Sequence, residues 1–188
     1  MAHGPQTWEA TYLRSNPSKE EAMDTRAEDR KKHGFYRARL DDSDVIYKLS
    51  SDPSVRKYWV QRLKIPVIYV FVNDAETAMV AYEPAYGDIR WLTGHALTES
   101  KGRGRALRDL FWSSGIWIFE NTRYEVITGV VPPTLRRYGL FLAAMGATRQ
   151  FEHFGTVMYT FHKDQVAHFR ARLNGASRTE APKVPKET

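Results

Sequence analysis

The sequence predicts a mixed α/β (α+β) domain, with a central, mostly antiparallel, twisted sheet flanked by helices. Three observations predict it. PVIYVFV, MVAYEPAYG and DIRWLTGHAL follow one another with short turns and read as an antiparallel meander. The third of these runs directly into ESKGRGRALRDLFW, a glycine-spaced basic loop opening into a helix. The apolar share, 42% of 188 residues, is enough to bury a core.

The elements follow in order. FYRARL alternates like a strand. Asp41 or Asp42 is placed to cap a short helix through DSDVIYKLSS, closed by Pro53, and VRKYWVQRL is a second amphipathic piece. After the meander, a helix from about Gly104 to Phe119 sets Leu107, Leu110, Phe111, Ser114 and Ile118 on one face. YEVITGVV is a buried strand stopped by Pro132 and Pro133. Thr134 is placed to cap a helix, LRRYGLFLAAM, that ends at Gly146 as the C′ residue. TVMYTFH is the last strand expected. The domain division is therefore a charged extension over 1–33, a folded domain over 34–163 and a C-terminal tail over 164–188. The run SKEEAMDTRAEDRKK in the first part reads either as an exposed helix or as a segment ordered by a partner.

The formal charge is +6, and residues 1–33 balance to zero. The basic excess therefore lies mostly in the middle of the chain and favours anionic ligands. The absence of cysteine excludes disulfides, thiolate metal sites and a cysteine nucleophile. The six histidines show no metal-ligand spacing, so no metal is expected. The aromatic and basic mixture is not arranged like a nucleic-acid platform, which interleaves them along one sheet face, so nucleic acid is not the expected partner. No apolar run approaches the roughly 18 residues that span a bilayer, and no leader pattern opens the chain. A cytoplasmic protein without a membrane partner is expected.

The sharpest feature is Lys101-Gly102-Arg103-Gly104-Arg105-Ala106. Glycines let backbone N–H groups approach phosphate oxygens, and a helix N-terminus favours anions. Its plainer reading is a basic surface turn.

The order of elements and this loop resemble the GNAT family, the GCN5-related N-acetyltransferases, over roughly Gly34 to Lys163. Their signature between the fourth strand and the next helix is Gln/Arg-x-x-Gly-x-Gly/Ala. Here Lys stands in the first slot. The resemblance implies a GNAT fold, acetyl-CoA as cosubstrate, an amine acceptor on a small molecule or protein, and N-acyl transfer. It places the pyrophosphate on Lys101 to Ala106 and the pantetheine arm along Ala96, Leu97 and Thr98; Thr134 or Leu135 takes the slot where many members have Asn at the start of the later helix, Thr134 being the cofactor-binding candidate. Many members carry a Glu base on the fourth strand; DIRWLTGHAL has only Asp88 and His95 in that role. Many carry a Tyr acid where Leu142 stands, and Tyr138 lies one turn earlier. The catalytic candidates are thus His95, Asp88 and Tyr138. Their plainer readings are a bonded strand histidine, a hairpin-turn residue and a packing aromatic. The resemblance also implies an alternative: a divergent phage-type member that keeps the fold as a structural part of a virion or head assembly, with its tails as the partner surface. Its location would be the host cytoplasm or the virion.

Overall fold

A computed structural model describes residues 19–85, 88–98 and 104–176. Helix α1 (Lys19–His33) leads into β1 (Phe35–Arg37). A 3-10 turn (Leu40–Asp42) precedes α2 (Ser43–Leu49) and α3 (Pro53–Leu63). The meander is β2 (Tyr69–Asn73), β3 (Ala78–Pro84) and β4 (Trp91–Thr98). Helix α4 (Gly104–Asn121) crosses over to β5 (Val126–Val131). A 3-10 turn (Pro133–Leu135) starts α5 (Arg136–Ala144), and β6 (Thr148–His153) and β7 (Thr156–His162) form a hairpin. Helix α6 (Val166–Ala176) closes the described chain.

The seven strands make one sheet in the order β1-β2-β3-β4-β5-β7-β6. Every neighbouring pair is antiparallel except β4 and β5. Parallel neighbours need a long crossover, and α4 supplies it. The sheet buries both faces of its first half. Tyr82, Leu92, Ile127 and Phe161 meet α4 and α6 on one side. Met79, Ala81, Val70 and Val72 meet Val45, Ile46 and Trp59 of α2 and α3 on the other. The buried residues of α4 include all five expected on its inner face.

Several elements differ from the sequence expectation. Pro53 opens α3 rather than closing the preceding segment: it sits in the first turn, where a missing N–H costs nothing, and Asp52 caps it through Ser54 N and Val55 N. Asp42 precedes α2 without capping it, because its carboxylate accepts from Arg39 N (2.8 Å) and pairs with Arg26 (2.7 Å). Thr134 lies inside the 3-10 turn, and Leu135 precedes α5 instead. Gly146 does take the C′ position, at φ 99°. β6 was not expected; all six of its residues are exposed, so no alternation marks it.

Residues 164–176, expected as tail, instead complete a 3-10 turn and form α6, whose Phe169 is buried beside Phe161 (centroids 5.7 Å apart). The described part of 1–33 is α1, held to the sheet by Arg30. Its guanidinium lies over the Tyr36 ring (4.4 Å) and bonds Glu76 (2.8 Å), which also accepts from Lys48 (2.6 Å).

Helix α5 sits close to β5 because Gly129 has no side chain; a Cβ there would stand 2.9 Å from Leu142 Cδ1. Leu142 is 1% exposed and Leu140, two residues earlier, 67%. Leu142→Ala should therefore lower the unfolding free energy in urea by about 2–5 kcal/mol, a buried-leucine loss. Leu140→Ala should change it by less than about 0.5 kcal/mol. Equal effects would contradict this placement of α5.

Candidate functional site: the fork between β4 and β5

The two parallel strands pair over a short stretch only: Trp91 with Val126, Leu92 with Ile127 and Thr93 with Thr128. At the last pair, side-chain hydroxyls meet. Thr128 Oγ1 donates to Leu92 O (3.1 Å) and lies 3.2 Å from Thr93 Oγ1. Beyond it the strands part. β4 runs on through Gly94, His95, Ala96, Leu97 and Thr98, paired only with β3, while β5 turns to pair with β7 along its whole length. The result is an open fork: among the described residues β4 has no β5 register partner beyond Thr93, and backbone polar groups along such an edge need a partner or water.

The next described element is the N-terminus of α4. Gly104 opens it with nothing within 4 Å of where a Cβ would stand. The first turn holds no acidic residue, and Arg105 pairs loosely with Asp109 (3.8 Å). A helix N-terminus carries the positive end of the helix dipole, which suits an anion. Of the expected phosphate residues, Gly104, Arg105 and Ala106 form this turn; Lys101, Gly102 and Arg103 lie outside the described residues. Ala96, Leu97 and the backbone of Thr98 lie on the free edge of the fork. Thr134 is exposed at the entry to α5.

Strand alternation sets the face on which His95 stands. His95 shares its face with Leu97 and, across the hairpin, with Ala81 and Glu83: the side of α3. Tyr138 lies on the other side, packed half-buried against the α4 core and stacked on Phe141 (5.9 Å). Burial pushes its phenol up to about 12, so it stays protonated at neutral pH and can donate. Tyr82, next to Tyr138, is fully buried and bonded to Ser114 Oγ (2.8 Å), and burial raises it too.

Asp88 is elsewhere. It stands in the turn before β4, accepts from Arg90 N (2.9 Å), and that bond holds its carboxyl below the usual range. Arg90 also reaches Glu125 (3.1 Å). The structure brings His95 to the fork and leaves Asp88 at the opposite end of β4.

The sequence reading missed the groups around His95. Glu83 Oε1 is 2.5 Å from His95 Nε2, and Tyr58 Oη is 3.1 Å from Nδ1. Arg62 bonds Glu83 (3.1 Å) and lays its guanidinium over the Tyr58 ring, 3.2 Å from the centroid. A signal existed for Glu83. Alternation from the buried Met79 and Ala81 puts it on the same face as Thr93, His95 and Leu97 of the next strand. Tyr58 comes from a helix far away in sequence, and no pattern pairs it with β4.

Burial pushes the His95 imidazole below its ordinary value and Arg62 adds to this, while Glu83 opposes both. The histidine is therefore neutral at pH 7 and able to accept a proton. Among the described residues no three His, Asp or Glu side chains are grouped to hold a metal ion, and no helix is long and apolar enough to cross a membrane.

Among solved structures, the chain is similar to the ribosomal-protein-S5-alanine acetyltransferase of Vibrio fischeri at 14% identity and a TM-score of 0.52, over 69% of this chain and 92% of that one. It is similar to a variant of the spermidine N-acetyltransferase of Vibrio cholerae at 12% and 0.54, over 71% and 95%. A GNAT-family acetyltransferase from Bacillus anthracis aligns at 10% and 0.52, over 69% and 95%. The chain has the GNAT fold. Neither a protein-family model nor a curated protein matches its sequence. At these identities the GNAT likeness is one of architecture, and function rests on the fork itself.

The His95 surroundings yield a measurable sign. In the full chain, His95 should titrate below about 6.5, its ordinary value. Glu83→Gln should move the midpoint lower still, because the carboxylate that favours the cation is gone. Since the folded value lies below the unfolded one, the unfolded chain binds more protons in this window. Stability is then lost as pH falls from about 6.5 through the folded midpoint. Proton NMR of the histidine ring signals reads the shift; a midpoint that rises in Glu83→Gln would contradict the contact.

Proposed function

We propose that this chain is an acetyl-CoA-dependent N-acyltransferase acting on a primary amine of a small molecule or protein. The carrying observation is the fork: a gap between two parallel strands, with β4 continuing beyond its last β5 pair and followed in the described chain by a helix whose first turn holds no acidic residue. The residues fit the cosubstrate. The edge from Gly94 to Thr98 can hydrogen-bond an extended amide-containing arm as a neighbouring strand would. Gly104 leaves room for a phosphate oxygen where any side chain would fill it, and Lys101, Arg103 and Arg105 add positive charge.

When bound, acetyl-CoA supplies the thioester carbonyl that the amine attacks: a C–N bond forms and the C–S bond breaks. The two faces of the fork divide the proton work. His95, neutral on the α3 face, takes the proton that an arriving ammonium must lose. Tyr138, protonated on the α4 face, gives one to the departing sulfur. Asp88 is the weaker base candidate, being committed to Arg90.

A second reading draws on a different observation. On the sheet face away from α4, Val130, Met158 and Phe151 stand in register, Val130 and Phe151 more than half exposed, with Phe154 90% exposed in the adjoining turn. Exposed apolar rows of this kind mark interaction surfaces. On that reading the fold is a catalytically degenerate component of a larger assembly, such as a phage particle.

Calorimetric titration of the full chain with acetyl-CoA separates the two. Binding is expected, and Gly104→Val should abolish it while leaving the urea transition in place, since the added side chain meets nothing in the protein. Replacing Lys101, Arg103 and Arg105 by Ala should weaken binding in a salt-dependent way, by about 0.5–1 kcal/mol for each charge removed. No binding at millimolar acetyl-CoA would leave the assembly reading.

A further inference from the structure

The hydrogen bonds around His95 assign its tautomer and thereby its route to substrate. Glu83, ion-paired with Arg62, can only accept, so its 2.5 Å contact fixes the histidine proton on Nε2. Nδ1 is then the acceptor, and Tyr58 Oη must donate to it across 3.1 Å. Both ring nitrogens are occupied. No substrate proton reaches His95 directly without displacing a partner, and the exposed partner is Tyr58, which stands on α3 at the surface.

We propose that Tyr58 is the substrate-facing end of a proton relay, Tyr58–His95–Glu83, in which the phenol touches the acceptor amine and the imidazole acts through it. This rests on the acyltransferase reading. An amine at neutral pH arrives as ammonium and has no lone pair. One of its protons passes to Tyr58 Oη as the phenol's own proton passes to His95 Nδ1. The freed lone pair forms the C–N bond, the C–S bond breaks, Tyr138 protonates the thiol sulfur, and the proton released from nitrogen at that step restores Tyr138. The imidazolium later returns its proton to water through Tyr58. Nothing is oxidised or reduced.

The arrangement suits this step at each position. A carboxylate on Nε2–H stabilises the imidazolium and fixes the ring, as an orienting acid does for a catalytic histidine. Glu83 is thus a positioning residue. The Arg62 guanidinium over the Tyr58 ring favours negative charge on the phenol oxygen during transfer and also binds Glu83, so one side chain fixes both ends of the relay. The charged and titratable groups facing His95 are Glu83 from β3 and Tyr58 and Arg62 from α3.

The test has two arms on the full chain. The first needs no substrate: nitrogen-15 NMR of the histidine rings at pH 7. His95 is expected as the neutral Nε2–H tautomer, with an Nδ1 resonance that moves when Tyr58→Phe removes its donor. An Nδ1–H tautomer, an imidazolium, or an Nδ1 signal indifferent to Tyr58→Phe overturns the relay. The second arm follows thiol release from acetyl-CoA with methylamine, ethanolamine, lysine and spermidine. Tyr58→Phe and His95→Gln should each lower kcat at least 10-fold with acetyl-CoA affinity unchanged. The double variant should lose no more than the worse single one, because the two act as a unit. Both should abolish the acid limb of the pH profile. Full activity in Tyr58→Phe, or losses that multiply, overturns the relay while the acyltransferase reading stands. No thiol release by the unmodified chain overturns that reading and the relay with it.

Discussion

The rest of the molecule is arranged around the early end of one hydrogen-bonded ladder. β4 and β5 pair at Trp91–Thr93 and Val126–Thr128 and then separate. Separation leaves backbone N–H and C=O groups of β4 facing a gap, a condition folded proteins keep only where water or a ligand satisfies them. Each neighbouring feature maintains it. β7 holds β5 along six register pairs, Leu142 packs over Gly129, and Thr128 ends the shared ladder with a side-chain hydrogen bond to Leu92. The crossover helix that parallel pairing demands is the next described element after β4. On the proposed reading, one topological requirement supplies both an edge for an extended chain and a terminus for an anion.

The sheet then separates functions by face. Alternation turns His95 toward α3 and Ala96 toward α4, one residue apart, so the fork is flanked by different chemistry on its two sides. On the α3 side, a neutral histidine, a carboxylate and a phenol are joined in one network. On the α4 side, a phenol raised by burial stands over an apolar core. On the proposed reading, the base on one face and the acid on the other act on a substrate lying through the gap.

The fold was legible in the sequence wherever burial left a period. The meander, the inner face of α4, β5 and β7 are all marked by apolar residues that the core requires. β6 was not legible, because an edge strand exposed on both faces carries no such mark. Nor was α6 foreseen, although Val166, Phe169 and Leu173 recur at helical spacing and pack on the core, because charged and polar residues separate them. The Gly104 turn could be read as a site because glycine and charge recur there at close spacing. His95 could be singled out as the titratable residue of its strand segment. Glu83 and Tyr58 could not be joined to it, since their meeting depends on hairpin register and on how α3 packs, neither of which is local. Asp88 and Asp42 show the converse: carboxylates that look available in sequence are taken by backbone N–H groups and arginines nearby.

The central claim is that the free edge of β4 is where an acyl-CoA chain lies. Amide hydrogen exchange of the full chain, with and without acetyl-CoA, tests it most directly. Those amides of Gly94–Thr98 that point into the gap have no β5 partner and should exchange readily in the free protein. The account predicts that acetyl-CoA slows exchange in peptides spanning Gly94–Thr98 and the first turn of α4, and leaves β1, β2 and α1 unchanged. Protection that falls elsewhere and spares Gly94–Thr98, or no change at saturating ligand, would contradict it.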